Sequence, residues 1–168
     1  PYRGYLYIHN DPSPSLRLQP TDWLPDTLHN GDTVLNRGLF AAVGFAKNGR
    51  PLEGFGKNDP ITPYAGLGMS ITELSSVTMD QAAYYRTLLS PENYVIDGFR
   101  TPRENYGMGQ FANDKRNAKC TNAKIIVITA PGRSNQVMGA YLKATRRISP
   151  GEEIIIGYGN EYFNRYTA

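Results

Sequence analysis

The chain of 168 residues carries 18 lysines and arginines against 15 aspartates and glutamates, a net charge of +3, and its length fits one domain that can fold unaided. Its single cysteine excludes a disulfide framework and a four-cysteine zinc site within one copy, and no apolar run approaches the about 20 residues that a membrane-spanning helix needs. Because the basic residues are scattered rather than clustered, direct nucleic-acid binding is not indicated, and we expect an intracellular protein with no metal site and no membrane segment.

Glycine and proline are frequent, with 17 and 12 residues, and they separate short apolar runs. This pattern predicts a mostly β fold with short helices. Residues 1–30 contain five prolines and the single tryptophan without a clear period, which predicts an extended arm laid over the domain. We expect the domain itself at residues 31–163, with a variable insert at about 67–93 and a short tail at 164–168.

Strands are predicted wherever β-branched or aromatic residues lie between turn signals. They fall at residues 33–35, 39–43, 61–64, 94–97, 123–129, 140–144 and 153–156. Pro131 and Gly132 predict a turn between two of these strands. One helix is predicted at residues 78–89, because Thr78 and Gln81 have the spacing of a capping box and Pro91 follows the last apolar residues.

Three separated segments carry the functional signal. The first reads Asn-Arg-Gly-Leu-Phe-Ala at residues 36–41 and continues as Asp-Pro-Ile-Thr-Pro-Tyr-Ala-Gly at residues 59–66. The second reads Gly-Gln-Phe-Ala-Asn-Asp at residues 109–114 and leads to Cys-Thr-Asn-Ala at residues 120–123. The third reads Ala-Thr-Arg-Arg-Ile-Ser-Pro-Gly-Glu-Glu-Ile-Ile-Ile-Gly-Tyr-Gly at residues 144–159. Its Pro-Gly pair predicts a tight turn, followed by a buried strand with a tyrosine at its end.

Taken together and in this order, the segments resemble the SET-domain family of protein lysine methyltransferases over residues 32–163. The resemblance implies the SET-domain fold, in which small β-sheets surround a pseudoknot made where the third segment threads through a loop near the second. It implies transfer of a methyl group from S-adenosylmethionine to a lysine of a protein substrate. A histone tail is the expected substrate, and a non-histone protein is the alternative. The protein would be nuclear if the substrate is a histone and cytoplasmic otherwise.

The resemblance also implies roles for individual residues. Tyr158 takes the position of the catalytic tyrosine, and Tyr64 is the second catalytic candidate. The substrate channel is expected to be lined by Tyr64, Tyr106, Ile156 and Tyr158. S-adenosylmethionine is expected to contact Arg37, Gly38, Leu39, Gln110, Phe111, Asn113, Asp114, Tyr158, Tyr162 and Phe163. Ile156 stands where many relatives carry an aromatic residue that influences how many methyl groups are added, so that number stays open.

Some positions depart from the family pattern. Gln110 replaces the arginine of the family pattern, Asp114 replaces its histidine and Thr121 replaces its proline. The loop after Asp114 is also longer than usual. These departures keep a second interpretation open, a catalytically impaired SET-like module that binds peptides or acts as a scaffold. Many relatives complete the site with a zinc-binding cysteine cluster after the Tyr-Gly motif. Here we expect Tyr162 and Phe163 to cover the cofactor, or else a second copy in a homodimer or a partner.

Overall fold

The structure is a computed structural model, and it describes residues 15–23, 27–29, 32–34, 37–70, 86–89, 94–97 and 107–158. In these ranges the chain forms ten strands and one short 3-10 helix, Gly109–Phe111. The strands are β1 (Leu16–Pro20), β2 (Thr27–His29), β3 (Asp32–Val34), β4 (Arg37–Ala41), β5 (Pro60–Pro63), β6 (Leu67–Ser70), β7 (Arg86–Leu89), β8 (Tyr94–Asp97), β9 (Ala123–Ala130) and β10 (Arg133–Ala144). No helix within the described part of the chain is long and apolar enough to cross a membrane.

The strands pair into four small antiparallel sheets. Two sheets have two strands each, β1 with β4 and β2 with β3. The other two have three strands each, in the orders β5-β10-β9 and β6-β8-β7. The prediction of a mostly β fold is therefore confirmed, with almost no helix among the described residues.

The longest hairpin joins β9 and β10 through the predicted turn at Pro131 and Gly132. Gly132 has a φ of 69°, in the left-handed region that glycine enters without a steric penalty. Along β10, Leu142 and Ala144 are fully buried while Lys143 between them is partly exposed. This alternation is the period of a strand with one face on the core.

Most predicted strands coincide with observed ones within a few residues, but the strand predicted at residues 140–144 begins earlier, at Arg133, and residues 153–156 do not form a strand ladder. Instead, Glu153 makes a single bridge to Phe40, and Ile155 makes a single parallel bridge to Asn113. The segment runs between two neighbours, and on the β4 side its backbone makes further single bonds, from the Ile154 N–H to the Leu39 carbonyl (2.7 Å) and from the Ala41 N–H to the Glu152 carbonyl (2.9 Å). Its apolar run is buried, as predicted, although its backbone pairing is discontinuous. Strands β1, β2, β6 and β7 were not predicted.

The predicted helix at residues 78–89 is wrong over its last four residues, which form β7, and residues 78–85 lie outside the described residues. Strand β7 pairs with β8, from Arg86 opposite Asp97 to Leu89 opposite Tyr94. A Ser-Pro pair ends a strand as readily as a helix, so pairing with the aromatic and β-branched residues of β8 decides the conformation.

The described part of the predicted N-terminal arm contributes β1 and β2. Strand β1 runs antiparallel to β4, with Leu16 opposite Ala41 and Pro20 opposite Arg37. This pairing brings residues 21–23, which follow β1, to the beginning of β4. Leu16 is only 3% exposed and belongs to the core.

The core lies where β4, β5, β9 and β10 meet residues 148–156. Its largest fully buried apolar side chains include Leu39, Leu142, Ile148, Ile154 and Ile156. Burying each side chain of this size is worth about 1.5–3 kcal/mol. The third sequence segment is therefore part of the core as well as a carrier of functional residues.

A tight turn at Pro150 and Gly151 leads into this buried segment, as predicted. The Glu152 N–H donates to the Ser149 carbonyl (3.0 Å), and Gly151 has a φ of 83°. The Glu152 carboxylate accepts from the Ser149 N–H (3.0 Å) and forms an ion pair with Arg146 (2.7 Å). Partial burial raises the pKa of Glu152, but the hydrogen bond from Arg146 and those from Ser149 and Asn122 outweigh it, so the net pKa is lowered.

The lowered pKa of Glu152 predicts a contribution to stability that depends on pH. Since the folded protein holds the carboxyl ionised more firmly than the unfolded chain does, the contribution is complete above the ordinary value of 4.5. It is lost as the pH falls through the lowered folded pKa. Glu152→Gln should therefore flatten the acid limb of a curve of unfolding free energy against pH, measured with urea. Arg146→Met should flatten it in part, and an unchanged curve for Glu152→Gln would contradict the assignment.

Candidate functional site

One short segment, residues 153–156, is hydrogen-bonded to both ends of the loop that runs from Asn113 to Asn122. At one end, the Ile156 N–H donates to the Asn113 carbonyl (2.9 Å), next to the parallel bridge between Asn113 and Ile155. At the other end, the Asn122 N–H donates to the Ile155 carbonyl (3.0 Å). The second and third sequence segments therefore meet in space.

Asn122 holds this segment from the side through a fully buried amide. Its Nδ2 donates to the Glu153 carbonyl (2.8 Å) and to Oε1 of Glu152 (3.3 Å), and its Oδ1 accepts from the Ile155 N–H (2.8 Å). The backbone carbonyl of Asn122 accepts from the Thr145 N–H (2.8 Å). A buried amide is tolerated when its donors and acceptor are bonded in this way. The side chain thus adds to the backbone bonds that hold the segment in place.

Tyr158 lies at the end of the segment and is held through both its backbone and its hydroxyl. Its N–H donates to Oδ2 of Asp114 (2.8 Å), and its hydroxyl donates to the Ala112 carbonyl (2.8 Å). The other oxygen of Asp114 accepts from the Arg116 N–H (2.6 Å). Asp114 therefore supports the predicted catalytic tyrosine through its side chain, a contact that the sequence did not predict.

Gly38 on β4 lies against the carboxylate of Glu153. A Cβ at this position would collide with Oε1 of Glu153 and lie 2.9 Å from its Cδ. Beside this contact, the Ile154 N–H donates to the Leu39 carbonyl (2.7 Å), and Phe40 forms its bridge with Glu153. The first sequence segment thus contacts the other two. A glycine is required at position 38 because the Glu153 carboxylate occupies the space that a side chain would need.

The Glu153 side chain is only 8% exposed and has four donors around it. Its Oε2 accepts from the Trp23 indole N–H (2.7 Å) and the Thr21 hydroxyl (3.3 Å), and it lies 3.6 Å from Nζ of Lys115. Its Oε1 accepts from Nδ2 of Asn113 (3.1 Å). The Lys115 ammonium also lies 5.0 Å from the centre of the Trp23 ring, within the range of a cation–π contact. A buried carboxylate needs this number of partners.

Tyr64 is buried and packs against the beginning of the second segment. A Cβ at Gly109 would lie 3.0 Å from Cα of Tyr64 and 3.0 Å from the Pro63 carbonyl oxygen. Just before it, the Met108 N–H donates to the Thr62 hydroxyl (3.0 Å). One stretch of chain, residues 108–114, therefore contacts both predicted catalytic tyrosines.

The structure places most of the predicted site residues in or beside one network. The contacts described above around residues 153–158 form what we call the Tyr158 network. Among the predicted site residues, it contains Gly38, Leu39, Asn113, Asp114 and Tyr158. The side chains that are buried or partly buried against the core are Leu39, Tyr64, Gln110, Phe111 and Ile156. Arg37 contributes its backbone to β4, and nothing is described of its side chain. Tyr106, Tyr162 and Phe163 lie outside the described residues.

Several members of the network were not among the predicted site residues, namely Trp23, Ala112, Lys115, Asn122 and Glu153. Ala112 and Asn122 lie within the second segment, and Glu153 carries a further signal, because an acidic residue in an otherwise apolar run must be paired if it is buried. Trp23 bonds a residue 130 positions later in the chain, and no local pattern reports such a contact.

The contact between Gly38 and Glu153 predicts a cost for any side chain at position 38. In Gly38→Ala the new Cβ must displace the carboxylate from its donors, and overpacking of this kind costs about 1–3 kcal/mol. We expect a lower unfolding free energy in urea. Gly157→Ala is the matched control, since a Cβ at Gly157 meets no atom within 4 Å. Equal stability of the two variants would contradict the packing described for Gly38.

Within the described residues, no group of three or more histidine, cysteine, aspartate or glutamate side chains could hold a metal ion. A family model with the description SET domain matches residues 36–159, well over half of the chain. The match begins just before β4 and ends just after Tyr158, so it contains all three sequence segments and leaves Trp23 outside. No curated protein matches the chain in sequence.

Proposed function

The chain belongs to the SET-domain family, and from this membership we propose that it transfers a methyl group from S-adenosylmethionine to a lysine side chain of another protein. Proteins of the family are generally protein lysine methyltransferases. The predicted SET-domain fold is confirmed by the family match together with the small antiparallel sheets. The proposal concerns the reaction, the cofactor and the residues that act.

The observation that carries the proposal is the environment of the Tyr158 hydroxyl. Its proton is directed at the Ala112 carbonyl (2.8 Å), so toward a lysine amine the phenolic oxygen acts as an acceptor and not as a donor. Accepting from the amine N–H would orient the amine lone pair. Two oxygens side by side also favour the positive charge that a transferring methyl group carries.

The residues around Tyr158 suit a cationic cofactor. S-adenosylmethionine, when bound, supplies a methyl group activated by a positively charged sulfur, and it also carries an ammonium group. The network offers oxygen acceptors beside the tyrosine, from the Ala112 carbonyl and the Tyr158 hydroxyl. We propose that Asn113 and the backbone of β4 hold the cofactor beside them.

The chain's remaining task is to present a neutral amine. A free lysine has a pKa of about 10.4, so holding it neutral at pH 7.5 costs roughly 4 kcal/mol. Burial and a neighbouring positive charge both lower the pKa of such an amine. No dedicated general base is then needed, and alignment and exclusion of water by Tyr158 and its surroundings account for the rest.

The alternative is a catalytically impaired module that only binds peptides. It was motivated by Gln110 and Asp114, which replace an arginine and a histidine of the family pattern. Asp114 bonds the Tyr158 backbone directly, so this replacement supports the tyrosine through another contact. That contact favours the enzyme over the module.

For the substrate we propose a histone tail, with a non-histone protein as the second choice. Family membership is the support for this proposal, and the protein would act in the nucleus if it is correct. A lysine side chain on a flexible tail is long and unbranched, so its terminal amine could reach Tyr158 through the expected substrate channel.

The test is incubation of the purified chain with S-adenosylmethionine and core histones, followed by mass spectrometry of the histone peptides. The proposal predicts lysine peptides that gain the mass of one or more methyl groups only when cofactor and chain are both present. Binding of histone peptides without any methyl transfer would favour the module instead.

A further inference from the structure

We propose that Trp23 and Thr21, which lie outside the SET-domain match, are positioning residues of the cofactor site and act on Asn113 through Glu153. The inference rests on the proposed function, because it concerns the site where S-adenosylmethionine would bind. It adds to that function two residues and a stretch of the N-terminal arm.

The first step concerns how the Glu153 carboxylate is fixed. It is 8% exposed, and Trp23 and Thr21 supply two of its donors, at 2.7 and 3.3 Å. Strand β1 pairs with β4 up to the register of Pro20 opposite Arg37, so Thr21 and Trp23 follow directly from a paired strand. The pairing of β1 with β4 therefore fixes the backbone that precedes the Thr21 hydroxyl and the Trp23 indole N–H.

The second step concerns what the fixed carboxylate does to Asn113. A carboxylate accepts hydrogen bonds and cannot donate them, so it selects the NH₂ end of the amide, and Nδ2 of Asn113 lies 3.1 Å from Oε1 of Glu153. The carbonyl end of the amide is thereby directed away from Glu153. A carbonyl oxygen is the end that an ammonium group requires, so the orientation set by Glu153 is the one that suits S-adenosylmethionine.

The third step concerns charge. Lys115 lies 3.6 Å from the carboxylate and 5.0 Å from the centre of the Trp23 ring. Trp23 thus contacts both the carboxylate, through its N–H, and the cation that balances it, through its ring face. Removing the indole N–H alone should free the carboxylate to move toward Lys115 and away from Asn113.

The variants that test this chain of contacts are Trp23→Phe, which keeps an aromatic ring without the N–H, and Thr21→Val, which keeps the shape without the hydroxyl. The lost bond joins Trp23 to Glu153 and not to the cofactor, so only the part of it that keeps Asn113 oriented counts toward binding, where a tenfold change in Kd corresponds to about 1.4 kcal/mol. We expect the Kd for S-adenosylmethionine, measured by calorimetric titration, to rise about tenfold in Trp23→Phe and less in Thr21→Val. Asp22→Ala, an exposed position between them, is the matched control and should keep the wild-type Kd.

Two further readouts separate positioning from a general loss of structure. The KM for S-adenosylmethionine should rise while kcat at saturating cofactor and the KM for the protein substrate stay unchanged. In nuclear magnetic resonance spectra without ligand, the side-chain NH₂ signals of Asn113 should shift in Trp23→Phe and stay in place in Asp22→Ala.

The outcomes are distinct for the two proposals. If the wild type binds no S-adenosylmethionine, the proposed function fails. If the wild type binds it and Trp23→Phe binds it equally well, with unchanged Asn113 signals, the function stands and the positioning role of Trp23 is refuted. A folded Trp23→Phe variant with weakened binding and shifted Asn113 signals supports the inference.

Discussion

Tyr158→Phe is expected to lower kcat for methyl transfer by about 100-fold or more, on the order of 3 kcal/mol of transition-state stabilisation. The substitution removes only the hydroxyl that donates to the Ala112 carbonyl (2.8 Å), and the ring can keep its packing against the core. Because the backbone contact to Asp114 is untouched, the Kd for S-adenosylmethionine should change only slightly. Single-turnover transfer assays and calorimetry on the same preparation measure both quantities.

Tyr141→Phe provides the matched control for this result. Tyr141 is a partly exposed tyrosine on β10, where it lies opposite Pro63 of β5 and Ile126 of β9. Removing the Tyr141 hydroxyl should leave kcat for methyl transfer near the wild-type value. A Tyr158→Phe variant as active as Tyr141→Phe would remove Tyr158 from the mechanism, even if the chain is a methyltransferase.

Asn122→Ala is expected to destabilise the folded protein by about 3 kcal/mol. The substitution leaves the Ile155 N–H and the Glu153 carbonyl buried without their side-chain partner, and each buried unsatisfied group costs about 1–3 kcal/mol. Asn122→Asp should also be costly, because a carboxylate oxygen would face the Glu153 carbonyl and the Glu152 carboxylate. The unfolding free energy in urea measures the loss.

Asn117→Ala is the control within the same loop. Asn117 is exposed, and its side chain accepts only a local hydrogen bond, from the Lys119 N–H (3.0 Å). Its loss should cost less than about 1 kcal/mol, as surface substitutions usually do. Similar losses for Asn117→Ala and Asn122→Ala would mean that the buried amide does not hold the 153–156 segment.

The pairing of strands was predictable wherever the pattern is local. The β9–β10 hairpin follows from apolar runs rich in β-branched and aromatic residues on either side of a Pro-Gly turn, and β8 follows from a run of aromatic and β-branched residues. Strand β7 was mistaken for a helix because its own sequence contains good helix formers and its partner lies beyond a proline. Strand β1 alternates apolar and polar residues only over Leu16 to Gln19 before Pro20, and its pairing with β4 defines it.

The site was predictable to the extent that its residues lie in the three segments. Tyr158, Asn113 and Gly38 were identified from their motifs, and the structure brings them to one network. The motifs could not predict how these residues are connected. The connection passes through the buried side chain of Glu153 and through Thr21 and Trp23 of the N-terminal arm, which lie outside the family match. The donors around Glu153 come from two distant parts of the chain, residues 21–23 and residues 113–115, and only the folded structure brings them together.

The central claim is that this network forms a site for S-adenosylmethionine. Calorimetric titration of the purified chain with S-adenosylmethionine tests it most directly, with S-adenosylhomocysteine added afterwards as a competitor. We predict saturable binding of one cofactor per chain that the competitor displaces. The absence of binding heat, together with an unchanged Tm in the presence of excess cofactor, would contradict the claim and leave the peptide-binding module as the better account.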